Sequence, residues 1–351
     1  MIANSTKINY FPKKSIREDR SQGSSSNNRA IESNSVKSLQ LGILDSGWIT
    51  PGKAAVEVVQ ETLISASLAD SLGYSRYWLT EHHEPSFAWA SPEIMLALIA
   101  QSTDRISVGT AGILLYFYSP LKIAEVFRLL EVLYPKRVNL GIAGGIAGDE
   151  ETMQALAPGF DIKQAVKNDL YGQKVSQLID YLTDNFRLDR DFALQATPKI
   201  TEIPQMWLLG TGTRNMQKAA LLGTAFCYSL YHACSQNEPN IVREYCYKFQ
   251  PSIMLHEPKC NLAVSVVCAE IEAEAIQQKT LVERIDKTSK VNVAGTPEQC
   301  KEQLLEIQHR YQVSEIIMIS PWHIFERRKL AYQMLAEVLN LGSTELTAVF
   351  N

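Results

Sequence analysis

The chain has 351 residues, 46% of them hydrophobic and 21% charged, the balance of a globular protein with a sizeable core in one α/β barrel or two ordinary domains. A net charge of −4 and a pI near 5.9, with no basic block interleaved with aromatics, argue against nucleic acid as a partner. No apolar run approaches the roughly 18 residues of a membrane span and no apolar signal core opens the chain, so a cytoplasmic protein with no membrane role is expected.

Residues 1–38 are rich in Ser, Asn, Lys and Arg. The run SQGSSSNNRA (Ser21–Ala30) buries too little to offset its ordering entropy, so a disordered tail is predicted, with residues 39–351 as one domain. Leu41–Asp45 is a short apolar run stopped by Ser46-Gly47, hence a buried strand. Pro51–Leu72 shows helical spacing of Ala55, Val58, Val59, Leu63, Ala66 and Ala69, with Gly73 as its stop. Tyr77–Thr80 is the second strand, and Ser91-Pro92 opens a helix through Gln101 that is apolar nearly all round. Arg105–Thr110 is a strand and Ser119-Pro120 opens the helix Leu121–Leu133.

Arg137–Ile142 is the fourth strand, running into AGGIAGD (Ala143–Asp149), and a longer helical region is predicted over Ile162–Leu182. Gln205–Leu209 is the fifth strand, ending at Gly210-Thr211-Gly212-Thr213 before the helix Arg214–Leu222. Strands at Thr224–Leu230, Asn261–Cys268 and Glu315–Ile319 alternate with helices at Glu238–Phe249, Ala269–Ile285, Pro297–Tyr311 and Glu326–Leu339. Eight short apolar strands, each followed by helix, predict a (β/α)8 TIM barrel over a doubly wound open sheet. Six cysteines with no CxxC pair read as reduced thiols, not a disulfide scaffold or zinc site.

In such a barrel the chemistry sits at the C-terminal ends of the strands. Those ends carry Asp45; Glu81, His82, His83 and Glu84; Ala111 and Gly112; Gly144; Gly210, Thr211, Gly212 and Thr213; His232; and His323, so four of the six histidines gather there. Three readings of His82-His83 stay open: a metal site, a general acid–base oriented by a carboxylate, and a histidine hydrogen-bonded within a polar barrel end. Neighbouring strand residues point to opposite faces, which pairs His82 with Glu84 or Glu81 with His83 and disfavours two adjacent histidines on one ion. Gly210–Thr213, after a strand and before a helix, suits a phosphate or is an ordinary capped turn. AGGIAGD lacks dinucleotide-fingerprint spacing.

The blocks LGYSRYWLTEHH (Leu72–His83), Ser91–Ile142, IPQMWLLGTGT (Ile203–Thr213) and VAGTPEQC (Val293–Cys300) resemble the bacterial luciferase-like flavin-dependent monooxygenases, from about Leu41 to Leu335. The resemblance implies a (β/α)8 barrel that takes reduced FMN from a separate flavin reductase, forms a flavin peroxide with O2 and oxygenates a small-molecule or carrier-bound substrate. It puts His82 in the catalytic position, Ala111-Gly112 against the isoalloxazine ring, Gly210, Thr211, Gly212 and Thr213 on the phosphate, and His232 in the pocket. Asp45 and Glu81 are expected at the substrate pocket, with no metal. A homodimer through the helices after the second and third strands is also implied.

Two departures from the pattern stand out. Where the family carries an arginine for the FMN phosphate, this chain has Gly144, a lost charge-assisted contact of about 1.5–3 kcal/mol. Arg214, at the start of the neighbouring helix, is the expected substitute. The segment between Cys268 and Val293, an insertion that is usually much longer, is short here. These departures motivate a rival reading, a degenerate barrel with weak or no flavin binding that serves as a partner protein; a metal-dependent hydrolase is a second rival.

Overall fold

The runs of alternating or continuous apolar residues become eight parallel strands: β1 (Gln40–Asp45), β2 (Arg76–Leu79), β3 (Ser107–Thr110), β4 (Val138–Ala143), β5 (Gln205–Gly210), β6 (Ala225–Ser229), β7 (Cys260–Cys268) and β8 (Glu315–Ile319). Each pairs with the next, and β8 pairs with both β7 and β1, so the sheet closes on itself as the predicted (β/α)8 barrel. Two short strands, Ile113–Leu114 and Val293–Gly295, add to β4 and β7. The computed structural model describes residues 38–184 and 195–342; apart from Ser38, the tail expected over 1–38 lies outside the described residues.

Helices α1 (Ala55–Leu72), α2 (Pro92–Gln101) and α3 (Pro120–Leu133) follow the first three strands. After β4 come α4 (Glu150–Leu156), α5 (Ile162–Lys167) and α6 (Leu170–Thr183). Then α7 (Thr213–Leu222), α8 (Asn240–Lys248), α9 (Glu272–Ile285), α10 (Pro297–Tyr311) and α11 (Phe325–Val338) complete the described wall. The start of α10 shows the local logic: Thr296 accepts from the Gln299 N–H, the Gln299 side chain reaches back, and Pro297 occupies the first turn.

The helical region expected over Ile162–Leu182 is present as two helices. Asp169 takes φ +48, the left-handed region, and ends α5 before α6 begins. The unpredicted α4 is capped by Asp149, whose carboxylate accepts from the Thr152 N–H at 2.8 Å.

Strand alternation sorts the core into an outer and an inner set. Ile43, Tyr77, Leu79, Val108 and Leu140 face the helices, while Leu44, Trp78, Trp207, Cys227, Ala263 and Ile317 fill the barrel. At the N-terminal end the barrel is plugged by charge. Arg76 donates through Nε to Glu315 Oε1 at 2.7 Å and through Nη1 to Asn139 Oδ1, and it lies 4.9 Å from the Trp207 ring. Asn261 Nδ2 donates to the other Glu315 oxygen at 3.1 Å. Burial pushes the Glu315 carboxyl up, but Arg76, Asn261 and Ser75 outweigh it and hold it below its ordinary value.

Candidate active site

At the opposite end the strands open into a cavity of about 570 Å³, within the roughly 300–1,000 Å³ of small-molecule sites. Leu44, Trp78, Ala263 and Ile317 make an apolar floor. The turn after β3 brings Ala111 and Gly112 to the wall, joined by a cis peptide. A Cβ on Gly112 would stand 2.8 Å from the Gly141 carbonyl, so only glycine lets the two backbones approach.

After β5 the wall continues through Gly210, Thr211, Gly212, Thr213 and Arg214. A Cβ on Gly212 would meet Gln236 Oε1 at 2.9 Å, so glycine lets Gln236 close over this turn. Gly212 precedes α7 without a side-chain cap, which leaves the first-turn N–H groups of a ten-residue helix for a ligand. Gly144, where the arginine of the resemblance is missing, also lines the cavity. A Cβ there would stand 3.4 Å from the ring of Tyr171. Arg214 lines the same cavity, with Nη2 3.9 Å from Asp169 Oδ1.

The rim residues after β2 diverge as strand geometry dictates. Glu81 is buried and accepts from Tyr118 OH at 2.7 Å and the Leu114 N–H at 3.1 Å, with His83 Nε2 at 2.9 Å. Burial pushes its pKa up, against the pull of those three donors. His82 goes the other way, stacking on Phe87 with ring centroids 4.0 Å apart and Nδ1 3.7 Å from Glu84 Oε2, outside hydrogen-bond range. Burial lowers the His82 pKa, Glu84 opposing. His232 lines the cavity with Nδ1 2.6 Å from Ser229 Oγ, and burial lowers its pKa as well. Two uncharged imidazoles thus border the cavity at neutral pH.

The structure brings His82, Glu81, Ala111, Gly112, Gly144, Gly210, Thr211, Gly212, Thr213, Arg214 and His232 to one cavity. It does not bring Asp45 there. That carboxylate turns outward and accepts from Thr62 Oγ1 at 2.9 Å, Tyr77 OH at 2.7 Å and the Gly47 N–H at 3.0 Å. Alternation already told against it: Leu44, one residue earlier, is the inward position of β1. Glu81 pairs with His83 and Glu84 lies nearest His82, the pairing that strand alternation allows. Thr80, Cys227, Ser229, Cys234 and Gln236 line the cavity without having been singled out. Thr80, Cys227 and Ser229 follow from the strand period, whereas Gln236 reaches the site on a loop with no periodic signal. Among the described residues no three His, Cys, Asp or Glu converge as ligands for a metal ion.

The luciferase-like monooxygenase family profile matches residues 40–281. The chain belongs to this family. The luciferase-like chain is 31% identical over 333 residues to YceB of Bacillus subtilis (strain 168), covering 86% of this chain and 99% of the relative. It is 28% identical over 337 residues to N-acetyl-S-alkylcysteine monooxygenase of the same strain, covering 86% and 98%. Among solved structures, apo-MsnO8 superposes with a TM-score of 0.75 at 29% identity, covering 86% of this chain and 99% of that one. The oxygenating constituent of 3,6-diketocamphane monooxygenase from Pseudomonas putida, in complex with FMN, gives 0.66 at 14% over 86% and 97%, a likeness of fold alone. An F420-dependent secondary alcohol dehydrogenase, in complex with an F420-acetone adduct, shares the fold, with a TM-score of 0.64 at 14% identity over 86% of this chain and 98% of that one.

Proposed function

We propose that this protein is an FMN-dependent monooxygenase that takes reduced FMN from a separate flavin reductase and, with O2, oxygenates a small-molecule or carrier-bound substrate. The observation that carries the reading is one cavity joining a flat apolar floor to an uncapped helix N-terminus, with uncharged imidazoles at its border. The residues present fit a flavin. Ala111 and Gly112 give the cavity a wall almost without side chains that suits a planar ring, and the Thr211 and Thr213 hydroxyls with the first N–H groups of α7 suit a phosphate. Arg214 is the cation that replaces the arginine absent at Gly144.

Reduced flavin would supply the electrons that activate O2; the rest falls to this chain. The floor residues Leu44, Trp78 and Ile317 would keep water from the bottom of the cavity where a flavin would lie. His82, held by its stack on Phe87 and kept neutral by burial, accepts a proton and returns it, acting as general base and then acid. Glu81 fixes His83 and the Leu114 backbone, which sets the shape of the wall beside His82.

The degenerate-barrel rival rested on Gly144 and on the short segment between Cys268 and Val293, and Arg214 on the wall of the same cavity weighs against the first of these. The exposed apolar side chains Ile94 and Leu98 of α2 and Leu129, Val132 and Leu133 of α3 support a homodimer through these helices, which sedimentation velocity checks. Among the described residues no helix is long and apolar enough to cross a membrane. The test of the cofactor is a titration of FMN, riboflavin and F420 followed by fluorescence quenching. Saturable binding with FMN tightest is the expected result; no saturable FMN binding overturns the reading.

A further inference from the structure

Arg214 and Lys218 lie one turn apart on α7 and both meet Asp169, the residue before α6. Lys218 Nζ donates to both carboxylate oxygens, at 2.8 and 2.6 Å, whereas Arg214 stays at ion-pair distance with no hydrogen bond. Two features show that the arrangement is built. Asp169 occupies the N-cap position of α6 yet its side chain caps nothing, being spent on the cations instead. Gly172, a poor helix former in the first turn of α6, is the residue that leaves them room. A Cβ there would stand 2.2 Å from Asp169 Oδ2 and 2.6 Å from Lys218 Nζ.

We propose that Asp169 is an internal counter-ion of the phosphate site, competing with the flavin phosphate for Arg214 while Lys218 holds its carboxylate in place. This rests on the FMN reading above. Two cations less one carboxylate leave the cluster a single net positive charge, and an incoming phosphate must draw Arg214 away from Asp169. The consequence is a flavin that binds through its ring and hydroxyl contacts but leaves readily, as a cofactor delivered and collected by another protein requires. Asp169 is thereby an affinity-setting residue that touches neither ring nor substrate.

Fluorescence titration at low salt tests this with FMN and riboflavin as probes. Asp169→Asn is expected to bind FMN about three- to tenfold more tightly, a gain that shrinks with added salt, and to leave riboflavin unchanged. Lys218→Met frees the carboxylate for Arg214 and weakens FMN binding, and that loss shrinks when Asp169 is already Asn. Asp169→Ser serves if the Asn variant does not fold, as judged by circular dichroism. Unchanged or weaker FMN binding in the Asp169 variants, with Arg214→Ala still weakening it, overturns the counter-ion role and leaves the cofactor reading intact. Failure of the unmodified protein to bind FMN overturns both.

Discussion

At the N-terminal end of the barrel Arg76, Asn139, Asn261 and Glu315 spend their hydrogen bonds on one another, whereas at the C-terminal end His82 and Arg214 line the cavity and reach Glu84 and Asp169 only at ion-pair distance. The same strands supply both ends. The difference is in how tightly charge is paired: a buried, hydrogen-bonded pair closes the first end, and half-exposed pairs held only at ion-pair distance leave the second end open. Stability is therefore assigned to the bottom of the barrel and chemistry to the top.

The comparison breaks if variants at the two ends behave alike. The largest effect is expected from His82→Asn, which should lower turnover by about 100- to 10,000-fold with any accepted substrate while leaving the urea midpoint in place. A matching loss of stability would reassign His82 to the scaffold. Glu315→Ala strands Arg76 in the interior and is expected to cost about 3–5 kcal/mol in urea unfolding. A loss below about 1 kcal/mol would place the pair with ordinary surface bridges.

Arg214→Ala is expected to weaken FMN about ten- to hundredfold without moving the unfolding midpoint. The smallest effect concerns pH. Because burial lowers the pKa values of His82, His232 and His323, the unfolded chain binds more protons than the folded one below pH 6.5. The stability contributed by the neutral imidazoles is present above 6.5 and is lost as pH falls towards the folded-state values. Unfolding measured from pH 7.5 to 5 checks the sign, and a histidine-to-Asn variant should flatten the slope.

Much of this was legible in the chain. The short apolar runs and the helix starts with Pro in the first turn gave β2, α2, α10 and β8 within a residue, because those elements are fixed locally. The split at Asp169 was missed because an apolar stripe continues across it; a left-handed residue leaves little trace in a hydrophobic pattern. At the site, the strand-end residues were readable from topology alone. Tyr171 against Gly144 and Gln236 against Gly212 were not, since both contacts depend on how distant segments return to the barrel mouth.

His82 and His83 also make register a selector of chemistry. One imidazole is pinned to Glu81 and the other stacks free on Phe87. A one-residue slip of the segment Tyr77–His83 would exchange them, presenting the tethered ring to the cavity and burying the free one. The hydrogen-bonded match of Tyr77, Trp78 and Leu79 to β1 and β3 thus guards more than the core. A single inserted residue upstream of Glu81 would preserve every side chain of the rim and still leave the wrong histidine in place.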